Sequence, residues 1–295
     1  MLTGNSAWWA RPWFLVEVFV LANLGFLTLD IYLAHSVNDF RRTAEYVPLY
    51  FSATAPIVLL FALLLRARWI AVWKDLGYLV GWLAILVGLA GVIFHLDSSF
   101  FYERTIRSLT YSAPFAAPLA YAGLGFLLLV NRMVDSNTAE WAQWVLFFTL
   151  GGFVGNFVFS LTDHAENGFF DRLEWIPVVA SALAIGFLIG CLLPGQARNF
   201  LRLCGGVLLL ESAVGVWGFL LHAERNLAGP SVHMLKNLIY GAPPMAPLLF
   251  PNLSALGLIA LWHLANPNTH VLRKEPLDSP ISGRPALASQ RKPLL

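Results

Sequence analysis

The chain has 295 residues, 58% of them hydrophobic and only 12% charged, with a formal net charge of +2 when histidine is neutral. A soluble domain carries about 25% charged residues, so the composition excludes an ordinary water-soluble enzyme. The small net charge, with no basic patch, excludes a nucleic-acid-binding protein.

Two stretches, Trp141–Thr162 and Trp175–Pro194, contain no charged residue at all. Apolar runs of about 20 residues match a hydrocarbon core of about 30 Å. Backbone polar groups in lipid must be satisfied within the segment, so such runs are helices. The expected fold is an all-α, polytopic membrane protein of about eight transmembrane helices. After an N-terminal segment, residues 1–12, the spans read Trp13–Ala34, Val47–Leu65, Gly77–Phe94, Leu109–Val130, Trp141–Thr162, Trp175–Leu193, Leu203–Leu221 and Leu248–Leu264. The first is too long for a signal-peptide core, and Glu17 and Asp30 interrupt it. The tail, residues 266–295, is rich in Pro, Ser, Arg and Lys without an apolar period, the composition of a disordered segment.

Topology follows from Lys and Arg in the connections. One side holds Arg11, Arg66, Arg68, Lys74, Arg132, Arg198, Arg202, Arg273, Lys274, Arg284, Arg291 and Lys292. The other holds Arg41, Arg42, Arg104, Arg107, Arg172, Arg225 and Lys236. Twelve against seven places both termini in the cytoplasm of a multi-pass membrane protein, the inner membrane in a prokaryote. Trp13, Trp73, Trp141, Trp175 and Trp262 fall near span ends, as interfacial anchors do.

An internal repeat organises the chain. His35-Ser-Val-Asn-Asp-Phe40 aligns with His164-Ala-Glu-Asn-Gly-Phe169, and Glu45-Tyr-Val-Pro48 with Glu174-Trp-Ile-Pro177, at an offset of 164 − 35 = 129. Leu109-Thr-Tyr-Ser-Ala-Pro-Phe-Ala-Ala-Pro-Leu119 aligns with Leu238-Ile-Tyr-Gly-Ala-Pro-Pro-Met-Ala-Pro-Leu248, again at 238 − 109 = 129. The reading is two tandem four-helix repeats, residues 13–132 and 133–265. Each has an even number of spans, so the copies are parallel and relate by an axis along the membrane normal.

The residues that could carry chemistry gather at the ends of the odd spans. His35, His95, His164 and His222 all reach the outer face, with acids beside them: Asp97, Asp163, Glu166 and Glu224. Imidazole and carboxylate suit zinc, iron, manganese or copper. The pairs His35/His95 and His164/His222 also suit bis-histidine ligation of a haem b in a four-helix bundle. The bland reading of each histidine is a cation favoured by a helix C-terminus. Glu17, Asp30 and Glu211 lie within spans, where acids are costly and face the bundle interior. Glu17 shares a helix face with His35, and Glu211 nearly so with His222. Those three form an alternative proton or ion path. Cys191 and Cys204 make no CxxC motif and read as buried structural thiols.

No Walker loop, G-x-G-x-x-G, G-x-S-x-G or H-E-x-x-H motif is present. Three functions fit: a protein holding a transition metal or haem at its outer face for redox or electron transfer, a proton-coupled transporter with its path between the repeats, or an assembly subunit without catalytic chemistry. The expected partners are the lipid bilayer and, for a redox centre, a membrane redox protein or a second copy of the chain.

Overall fold

The computed structural model describes residues 11–265. The N-terminal segment before Arg11 and the tail from 266 onward, expected to be cytoplasmic and disordered, lie outside the described residues. Eight principal helices follow one another: α1 Pro12–Ser36, α2 Tyr46–Leu65, α3 Ile70–Leu96, α4 Leu119–Met133, α5 Ala139–Glu166, α6 Trp175–Leu192, α7 Arg198–Leu227 and α8 Leu249–Ala265. Short helices at Phe100–Glu103, Ile106–Thr110 and Met234–Tyr240 fill the two long connections, and no strand occurs among the described residues. Among the described residues seven helices are long and apolar enough to cross a membrane, and α4 is a shorter apolar helix. Only 22–39% of each spanning window is buried. Large apolar side chains such as Ile57, Leu64 and Leu86 point outward, a surface that suits lipid and not water.

The expected fourth span, Leu109–Val130, is not one helix. Ile106–Thr110 ends in a turn, and helix resumes only at Leu119. Pro114 and Pro118 explain the break, because neither has an N–H to continue the ladder and each disfavours helix in the residue before it. Conversely, α3 begins at Ile70, seven residues ahead of the expected Gly77, and carries Lys74 and Asp75 in its second turn. Charged residues near a helix end extend toward the interface without ending the helix.

Helices α1–α4 pack among themselves through the α1–α2, α2–α3, α3–α4 and α1–α4 pairs. Helices α5–α8 do so through α5–α6, α6–α7, α7–α8 and α5–α8. The two sets meet along α4–α5 and α1–α8. At the latter seam Asn23 and Asn252 exchange side-chain hydrogen bonds.

Glycine permits the closest approach in each set. A Cβ on Gly88 of α3 would lie 2.7 Å from the Ala122 nitrogen and 2.8 Å from the Pro118 oxygen. On Gly215 of α7 it would lie 2.6 Å from both Phe250 Cβ and the Pro247 oxygen. Neither backbone can yield, so these positions set the α3–α4 and α7–α8 spacing.

One end of α1 and α4 is tied by charge. Glu17 and Arg132 form a bidentate pair, Nη1 to Oε2 at 2.5 Å and Nη2 to Oε1 at 2.6 Å, with both side chains fully buried. Arg132 Nε also donates to the Trp73 carbonyl, and its guanidinium lies 3.7 Å from the Trp73 ring centre. Asn131 donates to Glu17 and to the Trp13 carbonyl and accepts from the Trp141 indole. Arg66 stacks on Trp13 at 3.9 Å.

Candidate functional site

The histidines lie at the opposite end from this ion pair. His35, His95 and His164 occupy the last turns of α1, α3 and α5. His222 precedes the end of α7, which runs on to Leu227. After α1 the chain reverses sharply, with Asp39 and Phe40 at φ 55° and 51°. After α5 the same reversal puts Gly168 and Phe169 at φ 72° and 49°. Left-handed backbone is uncommon for residues other than glycine, so a tight turn accounts for two such residues in the first reversal. The Phe40 N–H donates to the His35 carbonyl, and the Phe169 N–H to the His164 carbonyl. Each phenyl ring folds back over its histidine, at 5.8 Å and 6.1 Å, and stacks on the first residue of the next helix, Tyr46 or Trp175.

This reversal returns an acid to each imidazole. Glu45 Oε2 lies 3.8 Å from His35 Nδ1, and Glu174 Oε2 lies 3.7 Å from His164 Nδ1. Both Oε2 atoms are buried without a hydrogen-bond partner. The second histidine of each set is fixed by backbone. His95 Nδ1 lies 2.8 Å from the Pro114 carbonyl, and His222 Nδ1 lies 2.7 Å from the Pro243 carbonyl. A carbonyl only accepts, so Nδ1 carries the proton in each case and the neutral ring keeps a lone pair on Nε2. That tautomer, locked at Nδ1, is the one a metal-ligating histidine adopts.

The structure brings His35 and His95 together. The His35 and His95 rings are 6.2 Å apart, centre to centre, at 72°. Among the described residues no comparable ring contact joins His164 and His222. Glu45 acts on both His35 and His95.

The acids singled out in the sequence do not join them. Among the described residues Asp97, Asp163, Glu166 and Glu224 make no ion pair with a histidine. Residues two apart on a helix point to opposite sides, so the spacing in His95-Leu-Asp97, His164-Ala-Glu166 and His222-Ala-Glu224 directs acid and imidazole apart. Asp163 and Glu166 instead line a small cleft with Thr110, Ser112 and Pro114. Among the described residues no group of three or more His, Cys, Asp or Glu side chains is arranged to hold a metal ion. The acids that do approach the histidines, Glu45 and Glu174, carried a signal in the sequence: they share the 129 offset with His35 and His164.

The three acids within spans are not brought together. Glu17 is engaged by Arg132. Asp30 is half-buried on α1, while the Tyr121 hydroxyl of α4 is hydrogen-bonded to Ser52 and donates to the Pro48 carbonyl. Glu211 is fully buried on α7. Cys191 and Cys204 are buried free thiols, as their spacing suggested. No family model matches the chain, and no curated protein or solved structure shows significant similarity to it.

Proposed function

We propose that this membrane protein holds an iron or other transition-metal centre between each imidazole pair, His35/His95 and His164/His222, and uses it for electron transfer. The observation that carries the reading is the approach of the His35 and His95 rings, with the anchors recurring in the second set: one ring locked at Nδ1 by a proline-segment carbonyl and the other with a glutamate at its Nδ1. A non-haem cage needs three or four protein donors, and each site offers two imidazoles. A haem supplies four nitrogens of its own and takes two axial histidines. Two metal–nitrogen bonds of about 2.0 Å, with each nitrogen about 1.1 Å from its ring centre, put the rings about 6 Å apart. The His35–His95 separation of 6.2 Å accords with that. Haem b is therefore the favoured group.

The protein purified in mild detergent is expected to show a Soret band. Iron, copper, manganese or zinc at a stoichiometric level without that band would point to a non-haem centre. The absence of both would end this reading and leave a transporter or assembly subunit.

The reading includes an architecture. The chain is two tandem four-helix copies, eight spans with α4 as the fourth, related by rotation about the membrane normal. The support is geometric recurrence at offset 129: Glu45 and Glu174 on their histidines, Ser52 and Ser181 each bonded back to the carbonyl of Pro48 or Pro177, and Phe40 and Phe169 over the imidazoles. Both termini face the cytoplasm on the Lys and Arg count. A cytoplasm-active reporter fused after Leu295 is expected to be active, and activity of a periplasm-only reporter there would reverse the topology.

A further inference from the structure

Helices α7 and α8 run antiparallel in a register fixed by contacts. A Cβ on Gly257 would touch Leu208, and one on Gly215 would touch Phe250. Glu211 lies between Leu208 and Gly215, and Ser254 lies between Phe250 and Gly257, so the two occupy the same level of the interface. Both are fully buried. Neither Glu211 carboxylate oxygen nor the Ser254 hydroxyl has a hydrogen-bond partner. From α5, Thr149 meets the Gly257 level, Phe153 packs on Phe250 at 6.4 Å, and Asn156 follows one turn on, buried with its Nδ2 unpartnered.

The first set of helices has no such polar level. Along α3 and α7 the matching offset is 222 − 95 = 127, shared by Gly88 and Gly215, so Glu211 corresponds to Ala84. At offset 129, Ser254 corresponds to Gly125, Asn156 to Leu27 and Thr149 to Val20. Ala84 and Gly125 are in contact, since a Cβ on Gly125 would lie 3.1 Å from that of Ala84. That contact supports placing Glu211 opposite Ser254 in the second set.

We propose that Glu211 is a proton-binding site inside the membrane-spanning part of α5–α8. An ionised carboxylate with no donor or cation beside it is the costliest state such a group can take, and a neutral acid can donate to the facing hydroxyl. No Lys or Arg of α6, α8 or the 246–248 turn faces it. The titratable side chains on those elements are Cys191 and His263, both at the far end from the histidine pairs, and Lys236 of the short helix against α7 lies beyond the other end. Glu211 is eleven residues, about 16 Å, below His222 on nearly the same helix face, so its proton sits on the side of the bundle that leads to the second pair. The site rests on burial and register, independently of any metal or haem.

The test is an infrared difference spectrum between the wild-type protein and Glu211→Gln, both reconstituted in lipid at neutral pH. Subtraction isolates Glu211 from the other acids, and glutamine keeps its shape without charge. The wild type is expected to show the carbonyl stretch of a protonated carboxyl, lost in the variant and in the wild type at high pH. A difference containing only carboxylate bands would overturn the proposal. Loss of the protonated band on adding sodium at constant pH would also overturn it, in favour of a metal-cation site. If Glu211→Gln does not fold, Glu211→Ala, which carries the residue found at the matching position of α3, is subtracted in its place and read by the same outcomes.

Discussion

Replacing Glu17 by Leu is expected to destabilise the protein by about 3–5 kcal/mol, and replacing Glu17 and Arg132 together by Leu is expected to restore most of that loss. The single change strands the Arg132 guanidinium at a fully buried position, with only the Trp73 carbonyl and ring to hold it. Breaking one partner of a buried pair is costly because the other charge remains uncompensated, whereas replacing both by apolar groups is often neutral. If the two sets of helices are copies, as proposed, the chain itself contains the double replacement. At offset 129, Glu17 and Arg132 correspond to Leu146 and Leu261, 0% and 5% exposed. Reversible unfolding of Glu17→Leu, Arg132→Leu and the double variant in mixed micelles would give the coupling energy directly. A Glu17→Leu protein as stable as the wild type would show that the pair contributes nothing and that water reaches Arg132.

The second large effect concerns cofactor content. If each imidazole pair holds one centre, His222→Ala is expected to halve the haem or metal per chain, and His95→Ala to halve it likewise. The double variant is expected to carry none. The second ring of each pair, His164 or His35, is left with one protein ligand, too few to retain a group that needs two. These side chains are half-buried at the helix ends, so the folded fraction should change little. Absorbance and elemental analysis per mole of protein make the measurement. Equal content in both single variants and the wild type would remove these histidines from any site.

Much of the architecture was legible because lipid imposes a simple rule. Long uncharged runs must be helices, and seven expected spans match helices to within a few residues at most ends. The four histidines fall at one end of the bundle because α1, α3, α5 and α7 all run the same way. What escaped the sequence lies in side-chain direction and long-range partnership. The acids two residues from His95, His164 and His222 looked like ligands, yet helical geometry turns them away. Glu45 and Glu174 are ten residues beyond their histidines and arrive only because a left-handed reversal returns the chain. Glu17 looked like a member of a proton path because its partner is distant. Arg132 lies 115 residues on, and no local periodicity links the two. The break at Pro114 and Pro118 was visible as prolines, but the apolar run around them concealed how much helix they remove.

With α4 taken as the fourth span, as proposed, that break gives the protein a hydrophobic mismatch. Fifteen residues of α4 rise about 22 Å, against a hydrocarbon thickness of about 30 Å. Its neighbour α3, with 27 residues, rises about 40 Å. The depth that α4 lacks falls to Tyr111–Pro118, a stretch without regular helix, and such backbone survives at that depth only against protein or water. Ser112, Ala116 and Pro118 are buried in protein, but Tyr111 and Pro114 are exposed, and beside these two the bilayer must thin or water must enter. Either way, the aqueous boundary dips locally toward the Pro114 carbonyl and the ring of His95 that it holds. An electron donor or acceptor dissolved in water could then approach that ring without entering the lipid.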